Sequence, residues 1–180
     1  CSSDLSRDAF PFLGEYWSAC GYAVVFINHV GHDRAAYLEA MRTGDWSEIN
    51  SPSNHAKRPQ DVSFVLDFLL SPGLNSSLLA GRIDTERICA AGQCAGSTTA
   101  LAIAGLGVDG MPDNSYIDGR VMAAIALSPQ PREEHNWERV YFPTLVMTGT
   151  DDFNWENAVK IDPTLVTMPY RRMTPGGKYH

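Results

Sequence analysis

The feature that most constrains this chain is one short run, Arg87-Ile88-Cys89-Ala90-Ala91-Gly92-Gln93-Cys94-Ala95-Gly96-Ser97-Thr98-Thr99-Ala100. Ile88 to Ala91 is apolar and suits a buried central strand, entered through a turn over residues 81–86. Ser97 to Ile103 is small and apolar enough for a helix lying close on a sheet. Between them stand two glycines, each two residues from Cys94. A residue held in a strained conformation at a strand-to-helix corner tolerates no bulk at the flanking positions, and glycine meets that demand. The Cys94 side chain then projects above the sheet, where a helix N-terminus favours a negatively charged sulfur or oxyanion.

Glycines at this spacing around a nucleophile form the G-x-S-x-G elbow, here with cysteine in place of serine. The competing reading is a buried structural cysteine in an ordinary βα turn, because unpaired cysteine is often buried. The strand–turn–helix context favours a reactive Cys94. Cys89 falls mid-strand and reads as core. A dinucleotide fingerprint would need glycine at position 94, and no P-loop lysine follows. Cys89 and Cys94 are too far apart for a C-x-x-C redox pair, and the histidines show no zinc spacing with them.

A chain of 180 residues is one domain's worth, and 44% hydrophobic with 19% charged residues are globular values. The net charge of -7 argues against nucleic acid or an anionic membrane surface as partner. No apolar run approaches the length of a membrane span. Four cysteines make no secreted disulfide framework, and a reactive Cys94 must stay unpaired. Residues 1–5, Cys1-Ser2-Ser3-Asp4-Leu5, resemble a translated sequencing-library adapter and are set apart from the domain over residues 6–180. A strand expected to start near Lys178, close to the last residue, reads as the mark of a fragment of a longer product, with a genuine short protein as the alternative.

Phe10, Leu13, Trp17 and Cys20 share one helical face, with Ser6 as a cap, Pro11 in the first turn and Gly21 as the stop. Residues 22–28 read as a buried parallel strand, and Ala35 to Met41 as a helix. Gly44 to Lys57 reads as a polar loop, after which Pro59 opens a helix carrying Val62, Val65, Leu66 and Leu69. Val121 to Leu127 and Pro143 to Thr148 read as further buried strands. Strands alternating with helices predict an α/β fold, a mostly parallel sheet with helices on both faces, incomplete at both ends of the chain.

With these elements and Gly149-Thr150-Asp151-Asp152 in order, the chain resembles α/β-hydrolases, and most nearly the dienelactone-hydrolase-like and platelet-activating-factor-acetylhydrolase-like branch. The segments that carry the likeness are Ser6 to Phe10, Gly21 to Val25, Arg58 to Asp67, the elbow, and Ala124 to Pro129. Dienelactone hydrolases proper carry cysteine as nucleophile, and many relatives carry serine. The resemblance implies a Cys-His-Asp triad hydrolysing a carboxylic ester or lactone, with no metal or organic cofactor. It also implies an oxyanion loop just before Ser6 and a catalytic histidine after the last strand. Both would lie outside this fragment, which is then expected to be inactive by itself. The alternative is a non-catalytic protein of the same fold that binds a ligand or partner.

Within that frame Cys94 is the nucleophile and the Ala95 backbone N–H one oxyanion donor. Gly92, Gln93 and Gly96 support the elbow. Asp152 is the acid, with its neighbour Asp151 as rival. His29 and His32 read as structural loop histidines, His55 and His135 as solvated, and His180 as entering a strand and therefore not the base. Trp46, Trp137, Trp155 and Tyr116 are either walls of an acyl pocket or ordinary packing.

Overall fold

The computed structural model describes residues 10–71, 81–107, 116–132, 135–154 and 159–180. Ser6, Trp155 and the segment before Phe10 lie outside the described residues. Helix α1 (Pro11–Ala19) starts with proline at its first position and ends before Gly21 at φ +91°. Leu13, Gly14 and Trp17 turn inward, while Cys20 is exposed. Gly14 lies close to Phe26: a Cβ there would stand 2.6 Å from the ring, which would have to shift. Helix α2 (Arg34–Thr43) is capped by Asp33, whose carboxylate accepts from the Ala36 N–H at 3.0 Å.

Two expectations for this half are corrected. Residues 22–28 are assigned no strand; Ile27 alone makes a bridge, and Tyr22 and Val25 are exposed. An apolar run becomes a strand only when a neighbouring ladder takes up its backbone groups. Helix α3 (Pro52–Leu69) begins seven residues before Pro59 and carries that proline inside it. Ser51 caps it, accepting from the Asn54 N–H at 3.3 Å, and Pro52 supplies the preset first turn. An internal proline removes one helical hydrogen bond. Here Asn54, Ala56, Arg58 and Pro59 are all buried, and packing overrides the local cost.

Strand β1 (Ile88–Gln93) leads into α4 (Ala95–Ile103), and β2 (Val121–Leu127) and β3 (Thr144–Met147) follow as expected. A one-turn 3-10 helix (Trp137–Arg139) lies between β2 and β3. Next come the paired short strands β4 (Phe153–Asn154) and β5 (Val159–Lys160). Helices α5 (Pro163–Val166) and α6 (Met168–Arg172) precede β6 (Lys178–Tyr179), the strand anticipated at Lys178. The main sheet is wholly parallel in the order β1-β2-β3-β6, so the chain is an α/β protein.

One face of the sheet holds the core. Ala124, Ala126 and Val146 pack with Leu101 and Leu106, and with Trp137, Val140, Met168 and Met173. Ile88, Ala90 and Val121 pack with Leu66 and Ile103. Trp137 is thus a core residue and no pocket wall. Helix α4 lies close on β1 and β2 because its buried residues include Gly96, Ser97, Thr99, Ala100 and Ala102. On the opposite face Ala123, Ile125, Leu127 and Leu145 are half-buried, and Cys89 and Met147 are exposed. The two-sided helical cover expected from the alternation is therefore seen on one face only among the described residues. Cys89 is not core for the same reason: it alternates onto this barer face from β1, which ends the order of strands.

Candidate active site

The turn between β1 and α4 has the geometry its sequence demands. Cys94 adopts φ 52° and ψ −117°, a left-handed conformation rare for a residue with a side chain. A Cβ on Gly92 would lie 2.0 Å from the Gly96 carbonyl oxygen, so the strand end and the first helical turn touch backbone to backbone. Cys94, Gln93 and Ala95 are half-buried, and Gly92 and Gly96 are buried. Cys94 forms no disulfide. Its N–H donates to the Leu127 carbonyl at 2.9 Å, which ties the corner to the end of β2.

The parallel register aligns Gln93 with Leu127 and Leu127 with Met147. Cys94, Ser128 and Thr148 consequently stand at one level, just past the carboxyl ends of three adjacent strands. Two strand spacings separate the first from the last, roughly 10 Å. Ser128 is the second non-glycine residue with positive φ among the described residues, at 45°. Its N–H donates to the Met147 carbonyl at 2.7 Å, and its hydroxyl donates to Asp152 Oδ1 at 3.1 Å. The other Asp152 oxygen accepts from the Gly149 N–H at 2.9 Å. Asp152 thus turns back over the sheet edge. Asp151 turns away: it is 91% exposed and pairs with Lys160 Nζ at 2.7 Å.

The histidines fall into place differently. His29 is buried, its Nδ1 2.8 Å from Asp61 Oδ2. Burial, reinforced by the Arg58 charge, lowers its pKa to about 4. His32 is also buried, and Arg58 Nη1 approaches its Nδ1 at 2.7 Å. Guanidinium can only donate, so this ring nitrogen accepts and the histidine is neutral. Burial and the same guanidinium lower its pKa to about 3. Both are buried and hydrogen-bonded to other parts of the chain. His55 corrects its reading as a solvated loop residue: it sits on α3, half-buried, edge-on to His32 with ring centroids 5.1 Å apart. His135 is likewise half-buried, against Trp137. His180 follows β6, 3.0 Å from the Thr148 hydroxyl and stacked on Tyr170.

Arg58 itself is 1% exposed, and its Nε donates to Thr99 Oγ1 at 2.9 Å. Thr99 in turn donates to the Ala95 carbonyl at 3.2 Å. Tyr116 packs on Ala56 and Ala102, and Trp46 packs edge-on against Tyr37, so neither borders Cys94 through these contacts. Sequence reasoning missed Ser128, Ser97 and Arg58. For Ser128 the signal was its place at a strand end, but only the register shows which carboxylate it meets.

Among the described residues no group of three or more histidine, cysteine or acidic side chains is placed to hold a metal ion. Among the described residues no helix is long and apolar enough to cross a membrane. Set against known proteins, the chain matches no family model and no curated protein sequence.

Proposed function

We propose that the protein is a hydrolase of carboxylic esters or lactones, with Cys94 as nucleophile. The observation that carries this reading is the backbone of Cys94 at φ 52° and ψ −117°, held by glycine-to-glycine contact at a strand-to-helix corner. Such strain is retained where the surrounding structure over-determines it, commonly at reactive sites. The Cys94 thiolate attacks the acyl carbon; a C–S bond forms and the carbonyl oxygen takes the negative charge. That oxyanion rests on the Ala95 N–H at the start of α4. Collapse breaks the bond to the leaving alcohol oxygen, which takes up a proton. Water then hydrolyses the thioester, releasing the acid and restoring the thiol. Asp152, steadied by Ser128 and Gly149, is the acid that orients a histidine base. The reading needs no metal or organic cofactor.

A second reading is a non-catalytic ligand-binding protein of this architecture. It is favoured by the commitment of His29 to Asp61 and His32 to Arg58, which leaves the base role unassigned. Mass spectrometry after exposure of the full-length protein to p-nitrophenyl acetate separates the two. The hydrolase reading expects one acetyl group on Cys94, a burst of p-nitrophenolate, and loss of both in Cys94→Ala. An unlabelled Cys94, or a burst that survives Cys94→Ala, sinks it.

A further inference from the structure

The Cys94–Ala95 peptide group carries two features that trans planarity makes opposite. The Cys94 carbonyl points down into the first turn of α4, so the Ala95 N–H must point up out of the helix. Three donors meet that one carbonyl: the Ser97 N–H at 3.0 Å, the Thr98 N–H at 3.4 Å and the Ser97 hydroxyl at 2.5 Å. Ser97 is fully buried, so its hydroxyl bond is shielded from water.

We infer that Ser97 is the positioning residue for the oxyanion donor, aiming and polarising the Ala95 N–H through the carbonyl of the same peptide. This deepens the hydrolase reading and rests on it. A hydrogen bond to the carbonyl end of an amide makes its N–H end a stronger donor, and in a low-dielectric site the effect is larger. A backbone conformation as strained as that of Cys94 needs such a restraint, because rotation of this peptide would relieve the strain and turn the donor away. The next peptide is held in the same manner. Its Ala95 carbonyl accepts from Thr99 Oγ1, which itself accepts from Arg58. Serine hydroxyls commonly bond back to a carbonyl one turn earlier, with little consequence beyond a slight bend. Here the carbonyl concerned belongs to the peptide whose other end is the Ala95 N–H, the proposed oxyanion donor.

The test compares Ser97→Ala with Ser97→Thr, which restores a hydroxyl. Two readouts need no ester: the pH profile of Cys94 alkylation by iodoacetamide, followed by mass spectrometry, and the Ala95 amide signal and its hydrogen exchange by NMR. Ser97→Ala is expected to slow Cys94 alkylation at neutral pH about 5–10-fold, as a thiolate loses part of its stabilising donor. It should also shift and deprotect the Ala95 amide while thermal unfolding moves by only a few degrees. Ser97→Thr should recover most of both. Should either variant fail to fold, Ser97→Cys, with a weak S–H donor, takes its place and is expected to fall between serine and alanine. An unchanged alkylation profile and Ala95 signal in Ser97→Ala overturn the inference, as does a folded Ser97→Thr without recovery. If both readouts move while Cys94 of the full-length protein takes no acetyl group, the hydrolase reading falls and the positioning role of Ser97 stands. If acetylation depends on Cys94 but neither readout moves, the reverse holds.

Discussion

Gly92 and Gly96 meet backbone to backbone across the turn that carries Cys94. A Cβ on Gly92 would stand 2.0 Å from the Gly96 oxygen and 2.8 Å from the Ser97 nitrogen. Neither neighbour is a flexible side-chain end, so the corner itself would have to open. Gly92→Ala is expected to destabilise the fold by about 3 kcal/mol or more, at the upper end of overpacking costs. Urea unfolding checks this; a midpoint within error of the unaltered chain would show that the corner yields freely.

Asp152 and Asp151 should behave unlike each other. In the full-length protein, where a histidine completes the site, Asp152→Asn is expected to lower Cys94-dependent turnover of p-nitrophenyl esters at least ~100-fold, because the imidazolium loses its charged partner. Asp151→Asn removes only an exposed pair with Lys160 and should change turnover less than about twofold. The kcat values of the two variants decide it, and equal losses would reverse the assignment of the acid.

Acid should destabilise the protein well before its carboxylates titrate. His29 and His32 have pKa values lowered to about 4 and about 3 by burial and by Arg58, against 6.5 in an unfolded chain. Unfolded molecules therefore bind more protons than folded ones from about pH 6.5 down to pH 4. Stability is full above that window and falls through it, with a slope of up to about 3 kcal/mol per pH unit for two such groups. Urea midpoints at pH 7, 6 and 5 test the sign. A flat profile between pH 7 and 5 would mean that the two rings are not held neutral.

Thr99 links the buried guanidinium of Arg58 to the first turn of α4. Thr99→Val keeps the shape and removes the hydroxyl, taking the acceptor away from the buried Arg58 Nε–H. The expected loss is about 1–3 kcal/mol, the cost of stranding buried polar groups. Arg58→Lys should lose a similar amount, since one ammonium cannot reproduce a planar fork that reaches His32 and Thr99 together. Double-mutant unfolding measurements should show that the two losses are not additive.

Acid unfolding should have a second, lower phase set by Asp118. Hydrogen bonds from Arg120, joined by one from Ser63, hold its carboxyl at about 2. A depressed carboxyl contributes stability above its unfolded pKa near 3.8, and the contribution disappears as pH falls toward 2. Arg120→Met should remove this phase and leave the histidine phase between pH 6.5 and 4 in place, as urea midpoints between pH 4 and 2 would reveal.

Local pattern determined a great deal of this protein. Glycine two residues either side of Cys94, small residues after it and apolar runs before it were enough to specify the strand, the corner and the helix, because backbone approach at the corner excludes any Cβ. The runs at 121–127 and 144–147 were legible for a similar reason: strands buried in a parallel sheet are continuously apolar. Tertiary structure decided what depends on partners distant in sequence. Residues 22–28 have the composition of a strand but show a bridge at Ile27 alone, and burial of Arg58 and Pro59 carries α3 through a proline that locally signals a start. Asp151 and Asp152 are chemically identical neighbours, and only the register of β2 on β3 brings Ser128 to one while Lys160 takes the other. Steric exclusion acts between near neighbours and is written in the chain; a hydrogen bond between strand ends exists only once the sheet has chosen its register.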